Sequence, residues 1–92
     1  MIKIIDKANN QVHCYNDTLI LSLVKDGNDY LVNLKNHSYN DNITIFNANP
    51  VLDASQQEYA RDLVLDCLDC GIIRVDQIKL SLQNRFQDVI IT

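Results

Sequence analysis

The sequence predicts an α+β fold: an antiparallel sheet of about five strands, followed by a two-helix hairpin packed on one face of it. Three observations predict it. Apolar residues alternate up to Asn49 and recur at three-to-four spacing beyond Pro50. Asp26-Gly27-Asn28 interrupts the alternating half with residues that tolerate positive φ, the mark of a tight hairpin. The chain has 92 residues, 47% hydrophobic and 22% charged, with no linker, repeat or low-complexity tract. That length and composition give one domain over 1–92, with strands in 1–49 and helices in 50–92.

The strands follow in order. Ile2 to Lys7 is a short β-branched run, and Ala8 to Gln11 turns the chain into a second strand ending at Tyr15. Thr18 to Lys25 places Leu19, Leu21 and Leu23 on one face, with Ile20 and Val24 on the other. Apolar groups on both faces predict a central, covered strand. Tyr30 to Leu34 returns from the hairpin, a polar loop spans Lys35 to Asp41, and Asn42 to Asn47 is the fifth strand.

The helices carry stop and start signals. Ser55-Gln56-Gln57-Glu58 matches a capping box, so a helix begins within a residue or two of Ser55 and runs to about Cys70, where Gly71 ends it. Tyr59, Ala60, Leu63, Val64, Cys67 and Cys70 share its apolar face. A second helix is expected after Asp76 as N-cap, with Val75 and Leu80 as a hydrophobic staple. Its inward face is Ile78, Leu82, Phe86 and Val89. The segment Val89 to Ile91 is open between helix and strand.

Charge narrows the partners. The net charge is −4. Residues 1–50 hold four Lys against five Asp, and residues 51–92 hold four basic against seven acidic residues. Nucleic-acid binding needs clustered Lys and Arg to displace phosphate counterions, and no such cluster exists. Anionic membrane surfaces are disfavoured by the same sign. A basic protein partner is favoured, because complementary potentials speed encounter. The start of the chain has no signal-peptide pattern, no apolar run is long enough to span a membrane, and the cysteine count is odd, at three. A cytoplasmic protein with free thiols is expected.

Cys67-Leu68-Asp69-Cys70 is a C-x-x-C. A redox pair wants a helix N-terminus, where the dipole stabilises thiolate, and these residues sit at a C-terminus. For zinc, His13 and Cys14 could complete a four-ligand set, but no second C-x-x-C or H-x-x-x-H accompanies them. Small core residues is the simpler reading, and no metal or cofactor is expected. His13 and Cys14 are strand neighbours facing opposite sides, so they form no catalytic dyad. Gly-rich phosphate loops, G-x-S-x-G and H-E-x-x-H are missing, and no enzymatic activity is expected.

The candidate site is an acidic stripe. Glu58, Asp62, Asp66 and Asp69 fall within about 80° of arc on the first helix, opposite its apolar face. Like charges four residues apart cost the helix a few tenths of a kcal/mol each, so their repetition invites a gain elsewhere. A solvated face that maintains solubility is the bland alternative. Arg61 would orient the face. Leu65, and Leu80 on the second helix, lie off the buried faces and could instead seed a homodimer. A third reading takes the helix pair around Gly71 as a helix-turn-helix, with Lys79, Gln83, Asn84 and Arg85 facing bases. The acidic first helix would repel phosphate and argues against it.

The Asn- and Ile-rich composition, with two Gly and one Pro, suggests an A+T-rich genome. Leu19-Ile20-Leu21-Ser22-Leu23-Val24-Lys25-Asp26-Gly27-Asn28-Asp29-Tyr30-Leu31-Val32, about a sixth of the chain, resembles the central hairpin of a Cas9 inhibitor among the small acidic anti-CRISPR proteins encoded by phages. That inhibitor begins with a helix, whereas this chain begins with strands, and no binding residue carries over. The resemblance implies inhibition of a basic host nucleoprotein by carboxylates that occupy its nucleic-acid groove.

Overall fold

The computed structural model describes residues 1–92 as seven strands and two helices in two sheets. The class is α+β, as expected, but the single five-stranded sheet is replaced by two smaller ones. The first joins β1 (Ile2–Asp6), β2 (Gln11–Tyr15) and β6 (Ile72–Arg74) in the order β2-β1-β6. The second is antiparallel and joins β3 (Ile20–Asp26), β4 (Asp29–Asn36), β5 (Tyr39–Asn49) and β7 (Ile90–Ile91) in that order.

The second sheet is made by short turns. Gly27, at φ 63°, leads a two-residue turn between the paired Asp26 and Asp29. His37-Ser38 is a second two-residue turn, closed by Asn36 opposite Tyr39. The expected loop over Lys35 to Asp41 is therefore ladder, and β4 and β5 are both longer than their alternation implied. A bulge interrupts the β4–β5 register between Tyr30 and Leu31, which pair with Phe46 and Thr44. The extra residue, Ile45, lets two consecutive side chains, Ile45 and Phe46, both be buried. Tyr30 stacks on Phe46 with ring centroids 4.8 Å apart, and its hydroxyl accepts a hydrogen bond from the Leu52 amide at 3.0 Å.

The strand expected at the centre is at the edge. β3 has β4 on one side and nothing on the other. Leu21 is buried and Leu23 half-buried, whereas Ile20 is 73% exposed and Val24 41%. Apolar residues on both faces of a strand do not by themselves mean cover on both faces.

The first sheet depends on a distant partner. β6 pairs parallel to β1, with Ile73 opposite Ile4, and both side chains are fully buried. β6 lies between α1 (Ala54–Cys70) and α2 (Val75–Arg85), so the helices form no simple hairpin. A strand occupies the place where a helix-turn-helix has its tight turn. Gly71, at φ 71°, ends α1 and turns the chain into β6, and its carbonyl accepts from the Lys3 amide at 2.8 Å.

The helix caps differ from those expected. Asp53, not Ser55, caps α1: its carboxylate accepts from the Gln56 amide at 2.8 Å, and the Gln56 side chain accepts from the Asp53 amide at 2.9 Å. The same reciprocal chemistry operates two residues earlier. α2 follows Arg74, with Asp76 inside its first turn, and Leu80 is 55% exposed, so no staple forms. α2 stops at Arg85. Phe86 and Val89 still pack in the core, but from the segment beyond it. That segment ends as β7, held by Gln83, which donates to the Val89 carbonyl at 2.7 Å and accepts from the Ile91 amide at 2.9 Å. No helix is long and apolar enough to cross a membrane.

Candidate functional site

α1 buries Ala60 and Val64 and half-buries Tyr59, Leu63, Cys67 and Leu68. The opposite face carries Glu58, Asp62, Asp66 and Asp69, and all four are exposed. On a helix rising 1.5 Å per residue they step along roughly 16 Å of surface, Asp62 and Asp66 about 6 Å apart along the axis. Arg61 is exposed at one margin of the stripe. Leu65, 43% exposed, falls at nearly the same helical angle as Glu58 and stands among the carboxylates. The six residues singled out in the sequence therefore form one continuous face.

None of the four carboxylates has an ion-pair partner within the chain. The only ion pair in the molecule joins the Met1 amino group to Asp17. Arg85 of α2 lies over the Tyr59 ring, 5.7 Å from its centroid. The capping carboxylate Asp53 lies before the stripe and is engaged by the Gln56 amide and by Ser55, leaving the four stripe carboxylates as the free ones of the helix.

The other candidates separate. Gln83, offered for base contacts, is committed to the backbone of Val89 and Ile91. Cys67 is half-buried and burial pushes its thiol pKa up, the opposite of an activated nucleophile. Cys70 is exposed, so it is not the core residue its helical phase suggested. Helical phase places a residue on a face, but does not by itself cover it: Cys67 and Leu68 of the same last turn pack against the core. No group of three or more His, Cys, Asp or Glu side chains is arranged to hold a metal ion.

Sequence reasoning missed one polar cluster. Tyr15 of β2 donates to the Asp41 carboxylate of β5 at 2.9 Å, and Tyr39 donates to the same oxygen at 3.3 Å. This is the one side-chain hydrogen bond that links the two sheets, and His13 stacks beside Tyr15 with centroids 6.5 Å apart. Burial, and then the Asp41 hydrogen bond and charge, hold the Tyr15 phenol far above its ordinary pKa. Such a phenol is a fixed donor and a poor base, so its chemistry here is to tie the sheets together. Only the spacing of polar residues at strand ends hinted at it, and spacing cannot say which strand ends meet.

Comparisons of the chain with protein-family profiles, with curated proteins and with solved structures return no match.

Proposed function

We propose that the chain is a protein-interaction module that presents the exposed face of α1 to a basic partner. In its specific form the partner is a host nucleic-acid-handling protein, inhibited when Glu58, Asp62, Asp66 and Asp69 take the place of phosphates in its groove. The observation that supports this reading is that four aligned carboxylates remain exposed and form no ion pair within the chain. A face of that kind costs helix stability through like-charge pairs and returns the cost only when a cationic surface covers it. Leu65 gives the same face an apolar contact at its middle, as a desolvated interface centre requires.

The test is affinity capture from a bacterial lysate, with and without nuclease. The expected result is a basic protein that stays bound after nuclease treatment, elutes with rising salt, and is displaced by its own nucleic acid. Capture that disappears with nuclease would mean that nucleic acid bridges the two, and the reading would fail.

A further inference from the structure

From the free edge of β3 we infer that two copies of this chain pair, antiparallel, about a two-fold axis at Ser22. The surface is different from the acidic helix face and does not depend on it. A two-residue turn makes its flanking residues, Asp26 and Asp29, a hydrogen-bonded pair. Alternation then directs the amides and carbonyls of Ile20, Ser22 and Val24 to β4, and those of Leu21, Leu23 and Lys25 outward. The outward groups face no strand. An open row of this kind is a template for another strand.

The order of side chains says which strand. Ile20-Leu21-Ser22-Leu23-Val24 reads nearly the same in both directions about Ser22. An isologous contact needs that property, because residue i of one copy meets j of the other and j meets i. Pairing centred on Ser22 sets Ile20 against Val24 twice on the outer face, covering the two most exposed apolar side chains of the strand. Leu21 and Leu23 then exchange their free backbone hydrogen bonds. A shift of the axis to Leu23 would set Ile20 against the carboxylate of Asp26 instead. β2 has a free edge too, but Gln11-Val12-His13-Cys14-Tyr15 has no such symmetry.

Charge agrees with the register. Lys25 has no ion-pair partner within the chain. Pairing about Ser22 brings it opposite the uncharged Leu19 of the other copy, so no like charges meet across the contact. The ladder also ends there, because the Leu19 amide is already bound to the Asn16 carbonyl at 3.3 Å. Pairing uses up both β3 edges, and β7 at the far side is only two residues long, so the assembly closes at two. The contact is small, which makes association concentration-dependent.

Sedimentation equilibrium over a wide concentration range tests it. The weight-average mass should rise from 10.5 kDa toward twice that value. Ser22→Lys puts two cations face to face at the axis and should weaken association by about tenfold or more, with an unchanged circular dichroism spectrum, since Ser22 is exposed. Ser22→Cys, in a Cys14→Ser, Cys70→Ser background, should oxidise to a covalent dimer, because non-hydrogen-bonded antiparallel pairs have Cα atoms about 4.5 Å apart. Ile20→Cys alone should not, but mixed with Val24→Cys it should. A monomer at every concentration, association untouched by Ser22→Lys, association lost instead through Leu65→Glu, or equal crosslinking at positions 20 and 22 would each overturn the inference.

Discussion

The two sheets bury similar aliphatic side chains but are assembled from the chain in different ways. β3, β4 and β5 are consecutive and joined by two-residue turns, so the antiparallel sheet is almost entirely local. The sheet around β1 needs β6, which arrives only after α1 and brings Ile73 from the far half of the chain to Ile4. Local pairing closes short loops at little entropic cost, and distant pairing must hold a long loop shut. The difference teaches where this small fold is vulnerable. The mixed sheet rests on a few buried contacts at β6, whereas the hairpins carry their own turn chemistry.

The largest expected effect follows at β6. Ile73 is fully buried in a three-residue strand, so Ile73→Ala should cost about 3–4 kcal/mol by lost transfer energy and the cavity left behind. A domain of this size has roughly 5–14 kcal/mol in all. Chemical denaturation should show a midpoint far below the parent's. A loss under about 1 kcal/mol would mean that β6 is not integral to the sheet.

The two glycines sharpen the comparison. Both have positive φ, 63° at Gly27 and 71° at Gly71. A Cβ at Gly27 would meet nothing within 4 Å, whereas at Gly71 it would lie 3.0 Å from the Met1 carbonyl oxygen. Gly27→Ala should therefore cost only the left-handed backbone penalty, about 1 kcal/mol. Gly71→Ala adds a backbone clash that moves β1 or β6 and should cost about 2 kcal/mol or more. Equal losses in thermal melts would remove the distinction between the junctions.

These contrasts explain how far the sequence was legible. Strand alternation and the Asp-Gly hairpin are encoded within a few residues, and most of the antiparallel sheet could be read from them. The helix span was legible for the same reason, although the cap lies at Asp53 because Gln56 answers it as well as Glu58 would answer Ser55. β6 was not legible: Ile72-Ile73-Arg74 has no period of its own, and its partner lies in the opposite half of the chain. The edge position of β3 was misread because its outer residues, Ile20 and Val24, are apolar without being covered. The acidic face needed only helical phase and was read whole, whereas Tyr15 and Asp41 meet only through the packing of two sheets.

That seam supports a smaller, pH-dependent prediction. The Tyr15 pKa is raised in the fold above the unfolded value of about 10. A group raised on folding stabilises the protein fully below its unfolded pKa and loses that contribution as pH rises. Tyr15 should thus help hold the sheets together at neutral pH and release that help above about pH 10. Asp41→Asn removes the accepting charge and should lower the Tyr15 pKa, seen as earlier tyrosinate absorbance in a titration. If the absorbance curve does not move, the Tyr15–Asp41 bond is not formed in solution.

The smallest expected effect on stability is on α1, away from both sheets. Asp62 and Asp66 are exposed, form no ion pair, and repel each other at i,i+4. Asp62→Lys with Asp66→Lys therefore removes no packing; it keeps one like-charge pair, now Lys with Lys, and turns the repulsions with Glu58 and Asp69, each i,i+4 or i,i+3 to a substituted position, into attractions. The melting temperature should stay the same or rise slightly. Binding to a basic partner should be abolished, because two attractive charges become repulsive ones at the centre of the stripe. Binding by the parent should weaken as salt rises, since at about 0.1 M exposed charges more than ~10 Å apart are largely screened. A variant as stable as the parent yet unable to bind locates the function on the helix face and separates it from the fold. A variant that binds as well as the parent leaves the stripe only the work of keeping the protein soluble, and Leu65 alone could not then account for preference toward a basic surface.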